Sequence, residues 1–437
     1  MPTRRLPVAL AAAAFLTLPA PALAGPITRN HVVSTAQLRP GVVFTHRTLS
    51  VRGYGKPQQL YTVSWQVGNP HLRLSAEPRG TYYPSDRSFV DSGIGAWARR
   101  TSPSGLVAAM TGDFSTPTGY WGNRSTVSGL YVHGRYVYSF GYGGDAVGYL
   151  ANGDFMMGKA RAVATLISLP GGHSATIGLW NPASSAFDNL HGDQVAVYTA
   201  GHVAIVRKGY EAVTLASTVL DRSLRGDAVR INAHGLQQRE HVRAYSISEP
   251  THPLQRLAMT MRAVRGCGGV LCKGYTTISV PSGRVVVVAR AASLAGHGLA
   301  TLAARSAPAL TASVSSPAWD AVDDIMGGKP QLVRKGVAVT RRPADVDPWQ
   351  WTCAGGCWRT ALIRTASGQA SLVVGGASYG DGVTMPVWAA MLQQLGARQA
   401  LGFDANGSAE LYRPGAPPID GFAWERPLPT LTALSYH

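Results

Sequence analysis

Short runs rich in Val, Thr and aromatic residues, each closed by glycine or proline, recur along this chain and restrict it to a strand-rich fold. Val42 to Phe44, Leu60 to Val67 (with Tyr61, Val63 and Trp65 alternating) and Leu72 to Ala76 read as paired strands. Leu106 to Met110 is continuously apolar, as a buried central strand is, and runs into Thr111-Gly112-Asp113-Phe114. Asp113 is thereby expected at a strand end. Leu130 to Phe140 and Val147 to Phe155 read as hairpins turning at Gly134 and Gly153. Val195 to Thr199, Thr276 to Val280 and Val285 to Val288 continue the pattern. One segment, Met385 to Leu395, has helical character. Thr384 can cap it, Pro386 suits its first turn, Gly396 can end it, and Val387, Met391 and Leu395 form an apolar stripe. The expected class is α+β, a single sheet-rich domain of antiparallel or mixed strands with few helices.

The first 24 residues read as an export signal: Arg4 and Arg5, an apolar stretch from Leu6 to Leu18, then Ala22-Leu23-Ala24 before Gly25. The stretch is too short to span a bilayer, and no later run is long and uncharged enough, so a secreted or extracytoplasmic protein without an integral membrane segment is expected. The formal charge of +17 falls to +15 without Arg4 and Arg5. The arginines are scattered rather than gathered into a basic stripe with interleaved aromatics, which argues against nucleic acid as a partner. Four cysteines form two tight pairs, Cys267 with Cys272 and Cys353 with Cys357, a disulfide pattern in an exported chain. Beyond the signal, residues 25–100 read as a strand region leading into a core at 101–415, with 416–437 as a tail.

Several segments, in order, resemble the phosphodiester glycosidase (uncovering enzyme) family. Gly105 to Phe114 resembles the family's strand ending in an Asn-Gly-Asp-Phe-Phe type turn. Gly129 to Gly134 resembles its G-x-x-V-x-G hairpin, and Val195 to Thr199 its strand ending in Tyr-Thr. Pro317-Ala-Trp319 with Ile325 to Gly336 resembles the G-G-x-P-x-L-V-x-x-G element. Arg359-Thr360-Ala361, the helix ending at Leu395-Gly396-Ala397, and Phe403-Asp404-Ala-Asn-Gly407-Ser408 resemble the remaining ones. The chain departs from the family pattern at Thr111 (usually Asn), at Ser115 (usually aromatic), and at Ala405 and Asn406 (usually Gly).

The resemblance implies hydrolysis at the anomeric carbon of a sugar-1-phosphodiester, N-acetylglucosamine or a related hexose in a cell-envelope polymer or glycan. A phosphodiester leaving group is weakly basic, so the demand falls on holding phosphate and activating water or a nucleophile. Asp404, after the apolar run Ala400 to Phe403, is the leading carboxylate and Asp113 the second; each could instead cap a turn. Arg359 is the expected phosphate ligand through its planar fork, with a structural ion pair as the alternative. Gly327 and Gly328 could present N–H groups as an anion nest. By resemblance, Thr360, Gly407 and Ser408 support the substrate.

No cofactor is evident, and no H-E-x-x-H spacing occurs, although a carboxylate-bound divalent cation such as calcium is compatible with the residues. His173, His191 and His202 fall within the family region. Two rivals stand beside the glycosidase. One is a serine esterase using Gly376-Ala377-Ser378-Tyr379-Gly380, which lacks a suitable later histidine because only His437 follows. The other is an envelope or sugar-phosphate-binding protein on the same fold, altered at Thr111, Ser115, Ala405 and Asn406.

Overall fold

The structure is a computed structural model; it describes residues 25–78, 93–113 except 102, and most of 130–437, leaving out chiefly 181–189, 217–228, 233–242, 245–263, 295–308, 315–321 and 421–427. Strands dominate the described residues. The N-terminal part supplies β1 (Ile27–Arg39), β2 (Val42–Val51), β3 (Gln58–Gln66), β4 (Leu72–Pro78), helix α1 (Ile94–Thr101) and β5 (Leu106–Thr111). Next come β6 (Leu130–Val132), β7 (Arg135–Tyr138), β8 (Gly144–Tyr149) and β9 (Phe155–Ala160). Among the described residues, twelve further strands lie between Ala162 and Val314. The C-terminal part adds β10 (Asp324–Gly327), β11 (Gln331–Arg334), β12 (Val337–Ala338), β13 (Arg359–Thr365), β14 (Gln369–Gly376), helix α2 (Met385–Gln394), β15 (Ala397–Gly402), β16 (Glu410–Tyr412), β17 (Ile419–Asp420) and β18 (Thr430–Tyr436).

An eight-stranded antiparallel sheet runs β1-β2-β3-β14-β13-β15-β11-β12. A five-stranded sheet runs β17-β16-β5-β18-β4, and a second one β7-β6-β10-β8-β9. The strands between 162 and 314 form a separate eight-stranded sheet and two two-stranded ones, antiparallel except for the pair His173–Trp180 with Val195–Thr199. Where the residues are described the strand expectations hold, including the fully buried β5 and a turn at Gly153 with φ +76°; the expected turn at Gly134 lies outside the described residues. Within residues 416–437, expected as a tail, strand β18 lies between β4 and β5, so the C-terminal end of the described chain completes a sheet begun by residues 72–111.

Strand alternation puts different cores on the two faces of the large sheet. Phe44, Val63, Leu372, Leu362 and Leu401 face inward, where Leu74, Met110, Leu411 and Leu434 of the five-stranded sheet meet them. Leu60, Ala361, Ile363 and Val373 face outward and are covered by α2 through Trp388, Ala389, Met391 and Leu392. The buried face of α2 is thus centred on Trp388, whereas Val387 and Leu395 of the expected stripe are only partly buried. Thr384 occupies the cap position, yet its hydroxyl caps nothing; it is instead the acceptor of a hydrogen bond from Tyr54. Gly396 ends the helix at φ +93°, as expected.

Candidate active site at the strand ends

The ends of β5, β10, β15 and the start of β13 converge. Asp404 lies two residues beyond the end of β15, and its backbone N–H donates to the Gly112 carbonyl at 3.0 Å, one residue from Asp113. The structure therefore brings together the two carboxylate residues expected from sequence. Asp113 is fully buried, with its N–H donating to Thr430 Oγ1 at 2.9 Å, whereas Asp404 is half-buried. Gly112 permits this approach: a Cβ there would lie 2.4 Å from Thr430 Oγ1 and 2.7 Å from Met326 Sδ.

The turn from Asp404 to Ser408 is ordered by its own short bonds. Asp404 Oδ1 accepts the Ala405 N–H at 2.8 Å, which fixes one carboxylate oxygen within the turn. The Thr360 hydroxyl donates to the Asp404 carbonyl at 2.6 Å, and Asn406 N–H donates to the Trp358 carbonyl at 2.7 Å. Asn406 to Ser408 forms one turn of 3-10 helix. Asn406 sits at φ +60°, the left-handed region where glycine is preferred and asparagine is among the best-tolerated alternatives; Ala405 is extended at φ −133°. Neither departure from the family's glycines therefore disturbs the turn. The Gly407 N–H and the Ser408 hydroxyl make no hydrogen bond to the described residues.

Thr111 has a role that sequence reading missed. Its hydroxyl accepts the Glu410 N–H at 2.9 Å and donates to the Ser408 carbonyl, clasping the end of β5 to the start of β16. Glu410 was equally missed. It is fully buried, and its Oε2 accepts the Ile94 N–H at 3.0 Å, closing the first turn of α1. A carboxylate at a helix start leaves a local sequence signal only when it lies just before the helix or within its first turn, and Glu410 follows α1 by more than three hundred residues.

Two expected contributions come out differently. Arg359 and Thr360 are consecutive on β13, so they point to opposite faces of the sheet. Thr360 faces Asp404; Arg359 faces α2, with Nε donating to the Val383 carbonyl at 3.2 Å. Burial pushes the Arg359 guanidinium down to about 10, the nearby Tyr54 phenol working in the opposite direction. The structure does not bring Arg359 to the side of the sheet that carries Asp404. Gly327 and Gly328 lie close to the site but do not form an open nest: Gly327 belongs to β10, and Gly328 N–H donates to the Asp145 carbonyl at 3.0 Å. Lys329 N–H donates to Gly402 at 2.9 Å, and the Asp145 carboxylate accepts from Gln331 N–H at 2.8 Å and pairs with Lys159 at 3.1 Å. Gly328 is there for space, since a Cβ would lie 2.7 Å from the Gly402 carbonyl oxygen.

Phe114, Ser115, Gly134, His191, His202, Cys353 and Ser378 lie outside the described residues. Gly376 of the esterase-like motif ends β14 and leaves room for Trp358, whose Cγ a Cβ would approach to 2.8 Å, and α2 starts only at Met385. Cys357 is disulfide-bonded. Cys267 and Cys272 lie on the antiparallel pair of strands Val264–Cys267 and Val270–Cys272. No group of three or more metal-ligating side chains occurs among the described residues, and no helix there is long and apolar enough to cross a membrane.

Comparison with known proteins places this arrangement. The model of the phosphodiester glycosidase family matches residues 263–434, which contain β10, β13, the Asp404 turn and β16. A hypothetical protein from Synechocystis aligns over 93% of this chain at 16% identity and a TM-score of 0.65; this chain spans 64% of that protein's length. A Burkholderia pseudomallei protein described as exported aligns over 87% of this chain and 74% of its own, at 17% identity and a TM-score of 0.55. These two likenesses show a shared fold. The catalytic domain of zebrafish N-acetylglucosamine-1-phosphodiester alpha-N-acetylglucosaminidase aligns over 94% of this chain and 87% of its own, at 10% identity; its TM-score of 0.35 is too low to carry an argument. No curated protein matches the sequence.

Proposed function

We propose that this chain, whose residues 263–434 belong to the phosphodiester glycosidase family, is an exported hydrolase. It would cleave the glycosidic bond of a sugar-1-phosphodiester, with an N-acetylglucosamine-like or related hexose, to free sugar and a phosphomonoester. The observation that supports this reading is the main-chain hydrogen bond from Asp404 N–H to the Gly112 carbonyl, which joins the Asp404 turn to the residue before Asp113.

Asp404 is half-buried and so is the carboxylate that meets the anomeric carbon or the water attacking it. Asp113, with no exposed surface, supports it from beneath. The phosphate leaves with little need of a proton, and the reading assigns it to the Gly407 N–H and the Ser408 hydroxyl. Thr360 fixes the Asp404 main chain through its hydroxyl, and Arg359 stabilises the junction of β13 with α2 from the opposite face. A divalent cation is left to experiment.

The test is release of free sugar and phosphomonoester from an α-N-acetylglucosamine-1-phosphodiester by the purified chain, with and without a chelator. Turnover supports the reaction class, and its loss on chelation would add a metal. No turnover across several sugar phosphodiesters would favour a binding protein on the same fold.

A further inference from the structure

The inner face of the large sheet carries a row of side chains that leads away from the Asp404 turn. Register fixes it: Thr360 is opposite Val374, Val374 opposite Tyr61, and Tyr61 opposite His46, so all four share one face at one level. One level deeper the same face is wholly buried, with Phe44, Val63, Leu372 and Leu362 in sequence. One level further out come Thr48, Gln59 and Gly376, with Trp358 lying against Gly376. The sheet thus passes from core to surface along this row, where His46, Tyr61 and Trp358 are each half-buried.

The rings form a continuous set. His46 and Tyr61 stack at 4.4 Å with 14° between planes, and Tyr61 and Trp358 are near-parallel, 13° apart, at 6.1 Å. Phe44 lies 6.4 Å from Tyr61, and the Arg413 guanidinium sits 4.1 Å over the Phe44 ring. Hydrogen-bonding groups are interleaved: His46 Nε2 is 2.7 Å from Gln59 Oε1, which also accepts from Thr48 Oγ1 at 3.3 Å. Trp358 ties the row to the site, since its own carbonyl receives the Asn406 N–H of the Asp404 turn. From Thr360 to His46 the row crosses three strand spacings, roughly 14 Å, more than one sugar ring needs.

We propose that the Trp358–Tyr61–His46 row is a glycan-binding strip that holds the saccharide chain beyond the bond cleaved at Asp404. Sugar rings present apolar C–H faces ringed by hydroxyls, which suits the edges of this mutually stacked set of rings, interleaved with amide, imidazole and guanidinium groups. A lipid or an apolar helix would leave His46, Gln59 and Arg413 without hydrogen-bonding partners on the ligand side. Gly376 belongs to the same device, because only a residue without a side chain lets Trp358 lie over β14. That the occupant is part of the substrate rests on the glycosidase reading; that the strip takes a saccharide does not.

The test is calorimetric titration of the full chain with the neutral tetrasaccharide of N-acetylglucosamine, which has no phosphodiester, alongside the turnover assay. The tetrasaccharide should bind both the natural chain and Asp404→Asn. Tyr61→Ser and His46→Ala should each weaken binding about tenfold, while Tyr61→Phe, which keeps the ring, should bind within about twofold. If Tyr61→Ser fails to fold, His46→Ala and Tyr61→Phe still decide the matter. Binding without turnover would keep the strip and discard the glycosidase. Turnover with no detectable tetrasaccharide binding, or equal affinity in His46→Ala, would overturn the strip and leave the glycosidase standing.

Discussion

Two glycine-marked turns flank the candidate site, 327–330 and 404–408, and they differ in where their backbone donors go. In the first, Gly328 N–H is committed to Asp145 and Lys329 N–H to Gly402. In the second, the Gly407 N–H and the Ser408 hydroxyl make no hydrogen bond to the described residues. Glycine content would have ranked the first turn as the better anion site. Accounting for each N–H ranks the second, and it is the second that carries a half-buried carboxylate.

The comparison can be broken most easily at Asp404. Asp404→Asn keeps the size of the side chain and should lower turnover about 1000-fold with an unchanged melting temperature. Gly328→Ala should do the reverse. Its Cβ, 2.7 Å from the Gly402 carbonyl oxygen, should cost about 1–3 kcal/mol of stability by thermal unfolding, with activity per folded molecule retained. A folded Gly328→Ala chain that had lost only phosphate affinity would return the nest to that turn. Thr111→Val removes the clasp between β5 and β16 and leaves the Glu410 N–H without its acceptor, for about 1–2 kcal/mol in denaturant unfolding. Asn406→Ala, forced to φ +60°, should cost about 1 kcal/mol, and Asn406→Gly should cost nothing measurable. Equal stability of these two variants would mean that the turn does not need the left-handed conformation.

Many of the strands were legible because segments such as β3 and β5 carry period-two or continuously apolar patterns between glycine turns. Asp113 and Asp404 were legible for a related reason: each ends an apolar run, and a carboxylate there marks a strand end. The face of Arg359 was not. A motif of consecutive residues, Arg359-Thr360-Ala361, places neighbours together in sequence, and strand geometry then separates them by the thickness of the sheet. Glu410 and the Thr111 clasp depend on β16 pairing with β5 across some three hundred residues, which no local pattern encodes. Strand β18 was lost for the same reason, its partners β4 and β5 lying at the other end of the chain. The long outer strand β1, exposed along nearly its whole length, lacks the alternation that marks a half-buried strand.

The central claim is that the chemistry belongs to the face of the large sheet that carries Thr360 and Asp404. Sugar release from an α-N-acetylglucosamine-1-phosphodiester by Asp404→Asn, Asp113→Asn and Arg359→Met tests it directly. Turnover should be lost in both aspartate variants and stay within about tenfold of the natural chain in Arg359→Met, whose side chain lies across the sheet. Loss in a folded Arg359→Met chain together with retained turnover in Asp404→Asn would contradict it and move the site to the α2 side.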